Sequence, residues 1–161
     1  MTEQNAESAL GARIADAARR SGRSVGAAES VSGGHISSAL AAAEGAVDWF
    51  SGAVTAYSEK VKFSVLGVQP GPVITAECAR QMAAGGAALL QADYVVSTTG
   101  AGGPASEEGQ PAGTVFIAVS SPTGCMVSQH HFDGDPPTVV HAATEQALRE
   151  LADVVEDGLR Q

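Results

Sequence analysis

Val25-Gly26-Ala27-Ala28-Glu29-Ser30-Val31-Ser32-Gly33-Gly34 is the stretch on which the reading of this chain turns. Ser24 to Ala28 has the character of a short buried strand. It runs into a turn carrying two hydroxyls, Ser30 and Ser32, and then two glycines that let backbone amides crowd a bound group. A helix beginning at Gly33 would aim free N–H groups and the positive end of its dipole back at that turn. Three uses fit: a nucleophile with an anion hole, a plain anion-binding turn, or a helix start that Ser30 or Ser32 merely caps. No glycine stands two residues before either serine, so this is not a Gly-x-Ser-x-Gly elbow.

Working outward, residues 1–8 read as a frayed tail and Ala9 to Arg20 as a helix, with Leu10, Ile14 and Ala17 on one face and Gly22 as its stop. A second helix spans Gly33 to Ala43, and Ala46 to Tyr57 holds an extended segment around Trp49-Phe50, Val54 and Ala56. Ser58 opens a helix to Leu66 that Gly67 closes; Thr75 caps another that runs to about Leu90. Gly85-Gly86 inside it costs roughly 1 kcal/mol per glycine relative to alanine, which implies close backbone packing on the sheet or on another subunit. Tyr94 to Thr99, Thr114 to Ser120 and Met126 to Phe132 are strands, the last two joined by the turn Ser121-Pro122-Thr123-Gly124. Between the first two lies a polar loop from Gly100 to Gly113. Asp135, followed by two prolines, caps a final helix ending near Leu159. Strand–helix alternation followed by a hairpin predicts an α/β fold with a mixed sheet and helices on both faces. No repeat or linker breaks the chain, so residues 1–161 read as one domain.

The charge balance narrows the function. Nine Lys and Arg face 18 Asp and Glu, a net charge of −9, so no basic stripe is available for nucleic acid. No apolar run reaches the roughly 18–20 residues of a membrane helix, and the acidic start is unlike a signal peptide. Cys78 and Cys125 have no metal-type spacing and read as small buried residues of a reduced, cytoplasmic protein.

Four polar groups stand out. The first is Glu29-Ser30-Val31-Ser32-Gly33-Gly34. The second, Tyr57-Ser58-Glu59-Lys60-Val61-Lys62, contains both lysines of the chain. A lysine whose pKa is lowered by burial can serve a serine as general base; equally, this stretch can be a solvated helix start. No conventional triad is evident among His35, His130, His131 and His141. The third is Thr98-Thr99-Gly100-Ala101-Gly102-Gly103-Pro104. A dinucleotide turn fails here because no helix follows, but backbone amides of so long a loop suit a carboxamide or phosphate. The alternative is a mobile surface loop. The fourth is Phe132-Asp133-Gly134-Asp135, where Asp135 is a natural helix cap.

Together these segments resemble one family along nearly the whole chain. Ala28-Glu29-Ser30-Val31-Ser32-Gly33-Gly34 is similar to its Ala-Glu-Ser-Cys-Thr/Ser-Gly-Gly signature, with Val31 in place of cysteine. Gly52 to Ser58 with Lys62 is similar to its Gly-x-Val-x-x-Tyr-Ser block, Gly100 to Pro104 with Pro111-Ala112-Gly113-Thr114-Val115 to its glycine-rich loop, and Phe132 to Asp135 to its Phe-x-Gly-Asp segment. The family is the CinA C-terminal domain, called PncC when it stands alone. The resemblance implies a three-layer α/β/α sandwich, commonly dimeric, that deamidates nicotinamide mononucleotide to nicotinate mononucleotide and ammonia without metal or cofactor. It implies Ser30 as nucleophile and Lys62 as base with Tyr57 beside them. Backbone amides near Ser32, Gly33 and Gly34 or in Gly100, Ala101, Gly102 and Gly103 would hold the oxyanion, Glu29 belongs to the same signature, and Ser32 is read as cap of the turn. The family's two arginines after Gly-Asp are Pro136 and Val140 here. Arginine is the natural bidentate partner of phosphate, so these replacements bear on the mononucleotide, with His141 at the same helix start as a weak substitute.

Overall fold

The computed structural model describes residues 2–161. Its helices and strands run in the order α1 (Glu3–Ser21), β1 (Val25–Glu29), α2 (His35–Ala41), α3 (Ala46–Trp49), β2 (Phe50–Thr55), α4 (Glu59–Leu66), α5 (Ala76–Leu90), β3 (Tyr94–Gly100), β4 (Thr114–Ser121), β5 (Gly124–His131) and α6 (Pro136–Gly158). The five strands form one sheet in the order β2-β1-β3-β4-β5. β1 runs parallel to β2 and β3, whereas β3–β4 and β4–β5 are antiparallel. The expected mixed sheet is therefore present.

Period-two alternation along the strands builds two cores. Ala27, Val96 and Ile117 face one way, packing against Leu10 and Ile14 of α1, Ile36 and Leu40 of α2, Trp49, and Leu148 and Leu151 of α6. Ala28, Val95, Phe116 and Ala118 face the other way, onto Leu66 of α4 and Cys78, Ala79, Met82 and Ala83 of α5. This is an α/β/α sandwich. Strand direction brings its polar segments together. β1, β2, β3 and β5 all point the same way, so their carboxyl ends share one edge with the start of β4. Each of the four polar segments leaves the sheet at that edge, where open α/β folds bind ligands.

Local chemistry explains most boundaries. The Ser58 hydroxyl accepts the Val61 N–H at 3.3 Å, Thr75 accepts that of Cys78 at 3.0 Å, and Asp135 accepts that of Thr138 at 3.1 Å. Several expectations are corrected. The tail expected over residues 1–8 is helical from Glu3 onward, where α1 begins, and Met1 lies outside the described residues. The extended segment from Ala46 opens with the helical turn α3, where Trp49 is buried and donates its indole N–H to Glu44 O at 3.1 Å. Helix α2 is shorter than expected, since Gly33 and Gly34 both lie in the left-handed region before it. Cys78 is buried as expected, but Cys125 is exposed on the edge strand. Among the described residues no helix is long and apolar enough to cross a membrane.

The two glycines of α5 answer to different neighbours. A Cβ on Gly85 would overlap the carbonyl group of Leu66, where α4 ends, while one on Gly86 would meet Val95 Cγ1 at 3.0 Å and Ala28 Cβ at 3.2 Å in the sheet. Gly86 thus packs on the sheet, and Gly85 on the backbone of α4. Gly85→Ala should lower the unfolding free energy by about 2 kcal/mol or more despite alanine's better helix propensity, because a backbone carbonyl must move. Gly86→Ala, which meets methyl groups at 3.0–3.2 Å and no backbone carbonyl, should cost less than Gly85→Ala in urea titrations.

Candidate active site

Glu29, the last residue of β1, is a fully buried carboxylate. It accepts the Ile36 and Ser37 amides, each at 2.9 Å, and the Ser32 hydroxyl at 2.7 Å. The residue at the N-cap position of α2 is Gly34, without a side-chain cap, so Glu29 performs the capping from seven residues upstream. That corrects the expectation for Ser32, which is not a cap. Its hydroxyl donates to Glu29 and is also bonded to Thr98 Oγ1 at 2.7 Å. Glu29 is likewise engaged by its own chain rather than turned toward a ligand.

Ser30 is held differently. Its N–H donates to Thr98 O at 3.0 Å, which ties the turn to β3. The residue is 6% exposed, and its hydroxyl has no hydrogen-bond partner among the described residues, although it is not sealed from solvent. Of the two candidate nucleophiles, Ser32 is therefore saturated and Ser30 is free. The amides around them are unequal too. Gly33 N–H donates to Ser30 O at 2.9 Å and His35 N–H to Ser32 O at 3.1 Å; Ala101 N–H donates to Thr114 O at 2.9 Å. Gly33 and Ala101, and Gly100 inside β3, are thus less available as oxyanion donors than Gly34, Gly102 and Gly103. Gly102 sits beside the serine turn, its Cβ position 3.6 Å from Val31 Cγ2, and Gly34 faces Thr55 of β2 at 3.7 Å. The loop and the turn, far apart in sequence, form one surface.

Lys62, on the second turn of α4, is only 2% exposed. Its ammonium donates to Tyr57 O at 3.0 Å, and no hydrogen bond joins it to Ser30. Burial pushes its pKa below the ordinary lysine value, opposed by the charges of Cys78, Glu59, Glu108 and Glu107. Burial likewise raises the Cys78 thiol. The expectation that Tyr57 stands beside Lys62 holds for its carbonyl. The Tyr57 residue is 72% exposed. His141 on α6 lies edge-on to His35, ring centroids 5.6 Å apart, and its Nδ1 is 3.9 Å from Glu3 Oε2. It lines a cavity of about 580 Å³ with Glu3, Glu7, His35 and Ser38, none of which belongs to the Ser30 turn or the loop. No cluster among the described residues could hold a metal.

Ser97 escaped the sequence reading, which took in Thr98 and Thr99 only as the start of the glycine-rich loop. Ser97, Thr98 and Thr99 are buried consecutively in β3, and each hydroxyl has a partner: Ala79 O at 2.6 Å, Ser32 Oγ at 2.7 Å and Val73 O at 2.6 Å. Three hydroxyls in an otherwise apolar strand were the available signal. Basic groups are as informative. Every arginine is paired with a carboxylate: Arg13 with Asp153 and Glu156, Arg19 with Glu44, Arg20 with Asp16, Arg23 with Asp93, Arg80 with Glu77, Arg149 with Glu145 and Arg160 with Asp157. None is left over for a phosphate at the site.

Fold and site define an α/β sandwich with a polar, serine-bearing turn and a buried lysine at the carboxyl edge of its sheet. The family model of the CinA C-terminal domain matches residues 7–155, and the chain belongs to that family. A Bacillus pumilus relative is 33% identical over 156 residues, 94% of this chain and 38% of its own length. A CinA-like protein of Frankia casuarinae is 35% identical over 75% of this chain and 29% of its own. The chain thus spans well under half the length of the curated relatives it matches. Among solved structures, the competence damage-inducible protein A of Klebsiella pneumoniae superposes with a TM-score of 0.88 at 31% identity, covering 91% of this chain and 95% of that one.

Glu29→Gln would turn an amide NH2 toward N–H groups that need an acceptor. It should cost about 2 kcal/mol of stability in denaturant titration, since hydrogen bonds to a charged group contribute more than neutral ones.

Proposed function

We propose that the chain is an amidohydrolase that deamidates nicotinamide mononucleotide to nicotinate mononucleotide and ammonia. The observation that carries this reading is a lysine buried to 2% exposure, its pKa lowered by that burial, in a family chain whose Ser30 hydroxyl is unengaged. Ser30 Oγ attacks the carboxamide carbon, and Lys62 in its neutral form takes the hydroxyl proton. The tetrahedral oxygen is held by amides of Gly34, Gly102 or Gly103; one such donor contributes roughly 3–4 kcal/mol in well-studied cases. The C–N bond breaks as Lys62 returns the proton to the leaving nitrogen, and ammonia departs. Water, deprotonated by Lys62, then attacks the Ser30 ester; the acyl C–O bond breaks, Lys62 returns the proton to Ser30 Oγ, and the carboxylate is released. Tyr57 acts through its carbonyl, which orients Lys62 Nζ. The Ser30–Lys62 approach closes when substrate fills the turn, in keeping with the loose geometry of unliganded sites.

A second reading has its own support. With Pro136 and Val140 at the family's arginine positions and every arginine paired elsewhere, the chain would instead bind a nucleotide or protein without turnover. Ammonia release by the purified protein separates the two. Under the first reading Ser30→Ala lowers kcat/KM at least about a hundredfold, while binding seen by calorimetry with no ammonia supports the second. Because Lys62 must be neutral to act, kcat/KM should rise with pH through an inflection below 10.5, the ordinary lysine value. That limb should vanish in Lys62→Met.

A further inference from the structure

The tip of the Gly100–Gly113 loop breaks a local rule. Glu107 N–H donates to Gln110 O at 3.1 Å and Gln110 N–H to Glu107 O at 2.8 Å, closing a two-residue turn. Its central residues, Glu108 and Gly109, have φ of 51° and 73°. Positive φ at both centres is the type I′ pattern, whose first position favours Asn, Asp or Gly. Glutamate, with a long side chain, is a poor occupant of the left-handed region. Its carboxylate explains its presence. Oε1 and Oε2 accept the Val73 N–H at 2.8 and 2.9 Å, and Oε1 accepts the Ile74 N–H at 2.9 Å. Val73 is gripped from its other side as well, because its carbonyl accepts the Thr99 hydroxyl from the end of β3. Both grips come from the segment that carries Gly102 and Gly103.

We propose that Glu108 is a positioning residue, a latch that fastens the Gly100–Gly113 loop to the Val73–Ile74 segment ahead of α5 and thereby sets the loop's amides against the Ser30 turn. The inference rests on the amidohydrolase reading for its kinetic consequence alone. The latch also brings a carboxylate toward Lys62, where the charges of Cys78, Glu59, Glu108 and Glu107 oppose the effect of burial. A turn residue without a tether would leave Val73 and Ile74 indifferent to its identity. A tether needs both the acceptor oxygens and the length of the glutamate side chain.

Glu108→Asn separates the two roles, because asparagine suits the turn better but is one methylene too short to reach Val73. Amide hydrogen exchange and ammonia release are measured on the intact protein, with Glu108→Gln as the length-preserving control. The latch requires Val73 and Ile74 exchange to accelerate about tenfold or more in Glu108→Asn, and less in Glu108→Gln. With nicotinamide mononucleotide, kcat/KM falls about tenfold or more in Glu108→Asn, with partial recovery in Glu108→Gln. Unchanged or slower exchange in Glu108→Asn overturns the latch. Faster exchange with undiminished ammonia release overturns its positioning role. Absence of ammonia from the unmodified protein sinks the amidohydrolase reading, and the exchange data then judge the latch by themselves.

Discussion

A buried carboxylate with nowhere to go but its own backbone governs this molecule. Ionised Glu29, removed from water, would cost several kcal/mol if left unpaired. Two amides at the start of α2 and the Ser32 hydroxyl answer it, and the positive end of the helix dipole adds to the pairing. Thr98 extends the chain of contacts to β3 and to the Ser30 amide. The turn between Ser30 and Gly34 is thereby held from β1, α2 and β3 at once. Of its two hydroxyls, that of Ser32 is engaged and that of Ser30 is not.

The sheet supplies the second constraint. Residues from four distant segments meet because β1, β2, β3 and β5 share one direction. Parallel strands require crossover connections, and those place α2 and α3 on one face and α4 and α5 on the other. The small residues that dominate the chain make this possible. Ala28 meets the approach of Gly86, and Leu66 at the end of α4 comes up against Gly85, so α5 lies close to both the sheet and α4, the helix on which Lys62 is buried.

What could be read from the sequence was what local chemistry writes there. Ser58, Thr75 and Asp135 each cap the helix directly after them, and the β-branched run Tyr94–Thr99 and the periodicity in α6 each reflect side chains within one element. The family motifs are local in the same way, each contained in one short segment. Long-range pairing was silent. Nothing near Glu29 announces that it caps α2 in place of Ser32, and nothing near Glu108 announces Val73, which lies 35 residues earlier. The first turns of α1 were missed because Glu3, Gln4 and Asn5 face solvent, so no apolar stripe marks them. At Ala46–Trp49 strand propensity was overridden by the demand of a buried indole N–H for the Glu44 carbonyl.

The arginine pairings have a consequence for how any ligand arrives. Each guanidinium is balanced by a neighbouring carboxylate, so the excess of 18 acidic over nine basic side chains is carried by acids without an arginine partner. The surrounding field is repulsive to anions. Its reach is set by the Debye length, about 10 Å at 0.1 M salt and 3 Å at 1 M. A phosphorylated ligand therefore meets a kinetic barrier that dissolved ions lower, and its association quickens as salt is added. That is the inverse of the salt response of proteins that attract phosphates with a basic surface.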